Sequence, residues 1–477
     1  MHGQELHTRA DQPVMVLMPA GFSVRNFVHS GLCAMVRQYA EIVGVVPAPS
    51  HDVRAVLGVE FRDLYAFDTI HAGPFLREVQ SWLGAAHGIR YARKTYRVLR
   101  TWFRREWTWT ERARTLRIDL MGWLCSHQPL YGVLAMVVNR LRSRELPLDA
   151  ARRVISSANP AMVVSTYCVD SVELPYVLAA KEKGIPVIAH ILSFDNLTSR
   201  GLLPLVHDYF LVWNEKMRSE LLFMYPNIKP DRVFVTGTPQ FDFHMKEDSC
   251  FSREEVAKRL GLNQEPKWIL YAANSNGLTP TEPELVHQIY DVLTSSLTDL
   301  NWQMVVRLHP MDDPKRWETL ARECKDLRFC FPTDERFRGR KDVTTFDDQR
   351  LLVGVLKHSS VCICMGSTMS LDAAIVDTPV IGIAYAATPG SVEDKFYREA
   401  YGTEHYSPLA RSGGIQLVYD HQELVKAVKT YLGDPEQHRD QRRRMVLSEC
   451  GTVDGKAAGR IADMLLRFLQ HSRGVRN

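Results

Sequence analysis

The residues able to do chemistry gather in three short polar stretches of the second half of the chain. The first is Gly366-Ser367-Thr368. It follows an apolar, β-branched run at 361–364 and precedes small and apolar residues at 369–376, with another apolar run at 380–383. That pattern predicts strand, turn, helix and strand, a βαβ unit. The turn would set backbone N–H groups and two hydroxyls at a helix start, where the dipole favours an anion. Gly366 would let the backbone approach a phosphate closely. Asp372 stands one helical turn past Thr368, so its carboxylate would face whatever the turn holds and could accept from two ribose hydroxyls. The second stretch, Asn274-Ser275-Asn276-Gly277, and the third, Arg307-Leu308-His309-Pro310, lie at the ends of apolar runs that read as strands at 268–272 and 302–308. A guanidinium, an imidazole and two sets of turn amides together suit a diphosphate. Each member alone has a plainer reading as a helix cap, a turn former or a surface histidine. Three polar strand-end loops at one sheet edge favour the ligand site.

A reaction at that site also needs a base. The first half of the chain offers candidates in the same kind of place, on loops at strand ends. His29 follows the predicted strand 14–18, Asp170 follows 162–166, and Asp195 follows 187–191. A carboxylate or imidazole there could deprotonate an acceptor hydroxyl, in the order Asp195, Asp170, His29. His309 could serve both the chemistry and the donor. The plainer reading of each is a cap, a turn residue or a surface histidine.

The elements that must position these groups follow an α/β rhythm twice. The first series runs from the strand 14–18 to the strand 232–235, and the second from 268 to 383. The break between them falls near Thr236-Gly237-Thr238-Pro239, and 243–265 reads as a linker. The opening strand, turn and helix are Rossmann-like but lack GxGxxG, so dinucleotide binding is not supported. The chain thus reads as α/β, with two Rossmann-like domains facing a cleft and C-terminal helices at the end. The domains would be 1–242 (acceptor side, with a basic helical insertion at about 75–145), 243–435 (donor side) and 436–477 (helices).

Bulk properties exclude several classes. At 477 residues, 45% hydrophobic and 24% charged, the composition is that of a globular protein of two or three domains. A net charge of +4 is too small to imply nucleic acid. No apolar run reaches the ~18 residues of a spanning helix, and the polar N-terminus lacks a signal core, so a cytoplasmic protein is expected. The nine cysteines include no CxxC pair, so neither a zinc knuckle nor a disulfide framework is indicated. The segment 87–117 differs from the rest. It carries ten Arg or Lys from Arg90 to Arg117, with Ile89, Ala92, Tyr96, Leu99 and Phe103 at helical spacing and tryptophans between. This is the pattern of a basic amphipathic helix, which could lie on an anionic membrane surface, bind a polyanion, or simply pack on its own domain.

Two consecutive Rossmann-like domains with the anion site in the second resemble the GT-B glycosyltransferase superfamily. The order Tyr271-Ala272-Ala273-Asn274, then Arg307-Leu308-His309-Pro310, then Gly366-Ser367-Thr368 to Asp372 looks like the branch of CDP-glycerol glycerophosphotransferases and polysaccharide-assembly transferases. The non-hydrolysing UDP-GlcNAc 2-epimerases share the layout. Their acidic ribose ligand falls in register with Asp372, and their Gly-Gly turn with Ser367-Thr368. Val235-Thr236-Gly237-Thr238-Pro239 looks like the domain crossing of both groups. Retaining members often carry a Glu where this chain has Cys364, which argues against a retaining outcome. The acids and histidines of the epimerase loop are not reproduced by Asn274-Ser275-Asn276, which favours transfer over epimerisation.

The resemblance implies a metal-independent glycosyltransferase of surface polysaccharide or glycoconjugate synthesis, acting from a UDP- or CDP-linked sugar onto a glycan or lipid-linked acceptor. No further cofactor is implied. Asn274, Ser275, Arg307, His309, Gly366, Ser367 and Thr368 would hold the diphosphate, and Asp372 the ribose. The alternatives are a CDP-glycerol-type polyol-phosphate transferase, a nucleotide-sugar 2-epimerase, and a non-catalytic nucleotide-sugar binder.

Overall fold

The computed structural model describes residues 10–58, 61–68, 72–103, 108–169, 172–199, 202–204, 206–331 and 343–474. The chain divides into two compact units. The first comprises 1–93, 109–242 and 456–477, and the second 94–108 and 243–455.

The first unit is built on a parallel sheet of β1 (Ala10–Leu17), β2 (Ala40–Val46), β3 (Asp63–Ala66), β4 (Met162–Ser165), β5 (Val187–His190), β6 (Tyr209–Val212) and β7 (Val233–Val235). Its order is β3-β2-β1-β4-β5-β6-β7. The second unit repeats the plan with β8 (Lys267–Ala272), β9 (Trp302–Arg307), β10 (Arg328–Cys330), β11 (Ser359–Cys364), β12 (Val380–Ile383) and β13 (Ile415–Val418), in the order β10-β9-β8-β11-β12-β13. Every pairing in both sheets is parallel. Helices cover both faces of such sheets, so central strands such as Val14-Met15-Val16-Leu17 and Val361-Cys362-Ile363-Cys364 are apolar throughout and fully buried. In each sheet the strand order reverses once beside the first strand, at β1/β4 and at β8/β11.

Three details differ from the sequence reading. The expected helix at 24–39 is broken into a helix Gly21–Val24, a π-turn Arg25–His29 and a helix Leu32–Arg37, with Gly31 at φ +88° between the last two. Strands β3 and β13 were not expected. Each has only four residues, mixes buried with exposed positions and lacks a long apolar run. The last helix, Ala457–Gly474, belongs to the first unit. There the Asp242 carboxylate accepts from Ala457 N (3.0 Å) and Ala458 N (2.8 Å), capping the helix start. Among the described residues, no helix is long and apolar enough to cross a membrane.

Candidate functional site

Register explains why three loops of the second unit meet. Ala272 of β8 pairs with Arg307 of β9 and with Cys364 of β11. The chain therefore leaves these strands at one level, around the point where the strand order reverses. Open α/β sheets bind ligands outside the carboxyl ends of their strands at such a point. Side chains tie the loops together. Asn274 Nδ2 donates to Met365 O (2.7 Å), joining the loop after β8 to the turn after β11. Beyond β9, Asp312 accepts from Asn276 N (3.2 Å), Arg316 Nε (2.9 Å) and Trp317 Nε1 (2.9 Å).

The centre of this network is Glu282, which is wholly buried. Its carboxylate accepts from Asn274 N (3.0 Å), Thr279 Oγ1 (2.8 Å), Tyr271 Oη (3.1 Å) and Arg316 (3.1 Å). Burial pushes its pKa up to about 7, although Thr279, Arg316 and the Asn274 amide pull the other way. Arg316 also donates to Thr279 O (2.7 Å) and Asn274 O (3.1 Å). A backbone loop this short has few partners of its own, and the Glu282–Arg316 pair supplies both an acceptor and a donor set.

The turn after β11 is held from outside. Gly366 has φ +49°, a left-handed conformation that a side chain would strain. Its N–H donates to Tyr401 Oη (3.3 Å), which itself donates to Ile383 O (2.9 Å). Tyr406 Oη donates to Ser370 Oγ (3.0 Å). Ser367 and Thr368 are half-buried, and the helix begins at Met369. Ser367 Oγ accepts from Met369 N (3.3 Å), whereas Thr368 makes no side-chain capping bond.

The other candidates of this unit fall in different surroundings. His309 is half-buried and its Nδ1 accepts from Met311 N (3.0 Å), so the neutral ring carries its proton on Nε2. Ser275 is half-buried, and its carbonyl accepts from Leu278 N and Thr279 N. Arg307 is buried and donates to Cys330 Sγ (3.0 Å) on the neighbouring strand. Asp372 was expected open to the turn, but it is 5% exposed, with Oδ1 3.1 Å from His244 Nε2. The helix Met369–Ile375 presents that position inward, towards His244, and not along the strand ends.

The basic segment was expected as one amphipathic helix. It is three, Pro74–Tyr91, Arg93–Phe103 and Trp109–Cys125. The middle one packs on the second unit beside the loops just described. Trp102 stacks on Phe396 (4.5 Å between centroids, 17° between planes) and its Nε1 donates to Gly277 O (3.1 Å). Glu404 caps the helix start by accepting from Lys94 N (2.8 Å), Thr95 N (2.7 Å) and Thr95 Oγ1 (2.6 Å). Burial raises the Glu404 pKa, but these donors outweigh it and hold it below the ordinary value. Thr95, Val98 and Trp102 are the buried face. Of the stripe expected from the spacing, Ala92 is buried, Ile89, Tyr96 and Leu99 are half-buried, and Phe103 is exposed.

In the first unit, His29 is half-buried in the π-turn. Asp195 begins the one-turn helix Asn196–Ser199 and accepts from Ser193 Oγ and Ser199 Oγ (2.5 Å each). Asp170 lies outside the described residues. The loop after β4 is held by buried Glu173, which accepts from Thr166 N (3.2 Å), Tyr167 N (3.0 Å) and the Ser165 hydroxyl. Along the loops after β1 and β7, Ser23 Oγ, Asn26 Nδ2 and Thr238 Oγ1 are buried with no hydrogen-bond partner among the described residues. Among the described residues, no group of three or more His, Cys, Asp or Glu side chains is placed to hold a metal ion.

No family model matches this chain, nor does any curated protein sequence. Solved structures do match, over nearly the whole length. A Staphylococcus aureus MnaA–UDP co-structure aligns with a TM-score of 0.56 at 14% identity, covering 96% of this chain and 97% of that one. UDP-GlcNAc 2-epimerase from Neisseria meningitidis, bound to UDP-GlcNAc, aligns at 0.55 and 12%, covering 96% and 100%. The Methanocaldococcus jannaschii UDP-GlcNAc 2-epimerase aligns at 0.54 and 12%, covering 96% and 100%. The fold is GT-B.

Within this GT-B chain the sequence points to the loops but misses the residues that hold them. Glu282, Asp312, Arg316 and Glu173 were not singled out. A signal for two of them exists in the spacing: Thr279 precedes Glu282, and Asp170 precedes Glu173, by three residues, as in capping sequences at helix starts. Asp312 and Arg316, four apart, carry the i, i+4 signature of a local ion pair.

Proposed function

We propose that this chain is an enzyme that binds a nucleotide-diphosphate sugar at the strand ends of the second unit and transfers its glycosyl group to an acceptor hydroxyl. The observation that carries this reading is the engagement of the carboxylates at that edge. Glu282, Asp312, Asp394 and Glu404 each accept backbone N–H groups and hold loops in place. The same edge also carries groups able to donate to an anion: the His309 ring, the hydroxyls of Ser367 and Thr368, and the backbone N–H groups of Ser367 and Thr368. Fixed donors of this kind stabilise charge that builds on a departing nucleoside diphosphate without reorganising. The acceptor hydroxyl then loses its proton to a base, for which Asp195 is the first candidate and His29 the second. Atoms balance as the glycosyl–oxygen bond to the diphosphate breaks and the bond to the acceptor oxygen forms. A ribose contact from Asp372 would have to replace its pairing with His244.

The similar structures bearing UDP or UDP-GlcNAc support a uridine nucleotide as the donor's base. A second reading is 2-epimerisation of a UDP-sugar, since the similar proteins from Neisseria meningitidis and Methanocaldococcus jannaschii are named as UDP-GlcNAc 2-epimerases. Incubation of the full chain with a panel of nucleotide sugars, with and without lipid and glycan acceptors, separates the two. Nucleotide released only when an acceptor is present supports transfer. Inversion at the sugar with no acceptor supports epimerisation. Neither outcome with any donor, and no heat of binding with UDP, overturns both. His309→Ala should weaken UDP by roughly 1–2 kcal/mol in calorimetry.

A further inference from the structure

We propose that the helical insertion of the first unit is a docking surface for an anionic membrane. The inference goes beyond the nucleotide-sugar reading and does not depend on it. Helices Trp109–Cys125 and Leu130–Glu145 both pack on helix Pro74–Tyr91. The inward face of the first is Thr115, Ile118 and Gly122, small or modest side chains. Gly122 comes so close to Ala85 that an added Cβ would lie 2.5 Å from the Ala85 Cβ. The large apolar side chains point the other way: Trp109 is 85% exposed, Leu116 64%, Leu120 57% and Trp123 57%. Their spacing of seven, four and three residues draws one stripe along the helix. On the next helix Leu130, Val133, Met136 and Val137 are exposed as well. A soluble helix normally faces the opposite way, and a contiguous exposed apolar face of this kind marks an interaction site.

Charge decides the partner. Arg112 lies over the Trp109 ring at 5.5 Å, and Arg140 and Arg144 are exposed on the second helix. Arg114 and Arg117 bind Glu78, which fixes the helix, yet their side chains remain 57% and 60% exposed. A second copy of the chain seated on this face through a two-fold axis would set arginine against arginine. Lipid acyl chains beneath anionic headgroups match both features, with tryptophans at the boundary. Trp109 and Trp123 are fourteen residues apart, so the helix would lie flat with its two anchors about 21 Å apart.

Flotation of the full chain with vesicles of phosphatidylcholine, with and without phosphatidylglycerol, tests this. The wild-type chain should float with phosphatidylglycerol vesicles at low salt, and less as salt rises. A Leu120→Ser, Trp123→Ser variant should lose on the order of tenfold in partitioning. Its thermal midpoint should be unchanged, because these side chains are exposed. Arg112→Glu with Arg140→Glu should abolish the preference for the anionic vesicle. The proposal is overturned if the wild-type chain fails to float at low salt, or if the Leu120, Trp123 variant floats equally well. It is also overturned if the chain forms a dimer that this variant dissolves, without any vesicle binding.

Discussion

The strand ends of the two units follow one topology and are finished differently. In the second, Glu282, Arg316, Asp312 and Asn274 hydrogen-bond one another and the loop backbone, locking three loops before any ligand arrives. In the first, Glu173 holds one loop, but Ser23, Asn26 and Thr238 keep buried polar atoms with no partner among the described residues. Buried polar groups are nearly always matched by protein, water or ligand. The contrast gives the second unit a rigid set of strand-end loops and leaves hydrogen-bonding capacity in the first.

The strongest way to break this comparison is to remove the two glutamates. Glu282→Ala leaves the Arg316 guanidinium, two loop donors and the Tyr271 hydroxyl without their acceptor, and should cost about 3–5 kcal/mol in urea unfolding. Glu173→Ala strands amides and a hydroxyl, and should cost about 2–3 kcal/mol. Equal losses would mean that the guanidinium adds nothing and that the two loops are equivalent.

A pH series sharpens it. Glu282 has a native pKa of about 7 against an ordinary value of 4.5. Between those values the folded chain keeps a proton that the unfolded chain has released. Its stabilising contribution is therefore complete below the ordinary value and is lost as pH rises through about 7. The wild-type chain should lose up to about 3 kcal/mol relative to Glu282→Gln across that window. A flat difference would show that Arg316 keeps the carboxylate ionised throughout.

The smallest effect concerns two threonines. Thr279→Val removes a donor to Glu282 and should cost about 1–2 kcal/mol, whereas Thr238→Val removes a hydroxyl without a partner among the described residues and should be neutral or stabilising by up to about 1 kcal/mol. A loss at Thr238 as large as that at Thr279 would show that water already satisfies the first unit.

The parts legible in the sequence were those with a local period. Apolar runs bounded by turns gave the long parallel strands and the loops at their ends, and the repeat of that rhythm gave two units. Arg307 and Asp372 have the right types at the right spacing, but spacing along one element does not reveal what packs behind it. Cys330 and His244 reach them from elsewhere in the fold. The basic segment shows the same limit, since its division into three helices was not legible. The face of its middle helix that Phe396, Gly277 and Glu404 meet is that of Thr95 and Trp102, one step away from the expected stripe. The face left open lies on the next helix, where the outward stripe of Trp109, Leu116, Leu120 and Trp123 was visible as a spacing but not as an orientation.

The capping of helix Ala457–Gly474 by Asp242 has a consequence for biosynthesis. Helix Ala457–Gly474 follows the second unit in the chain yet completes the unit whose strands precede it. During synthesis the first unit must therefore wait, incomplete, while 243–455 is translated, and a premature stop anywhere in the second unit would injure the first as well.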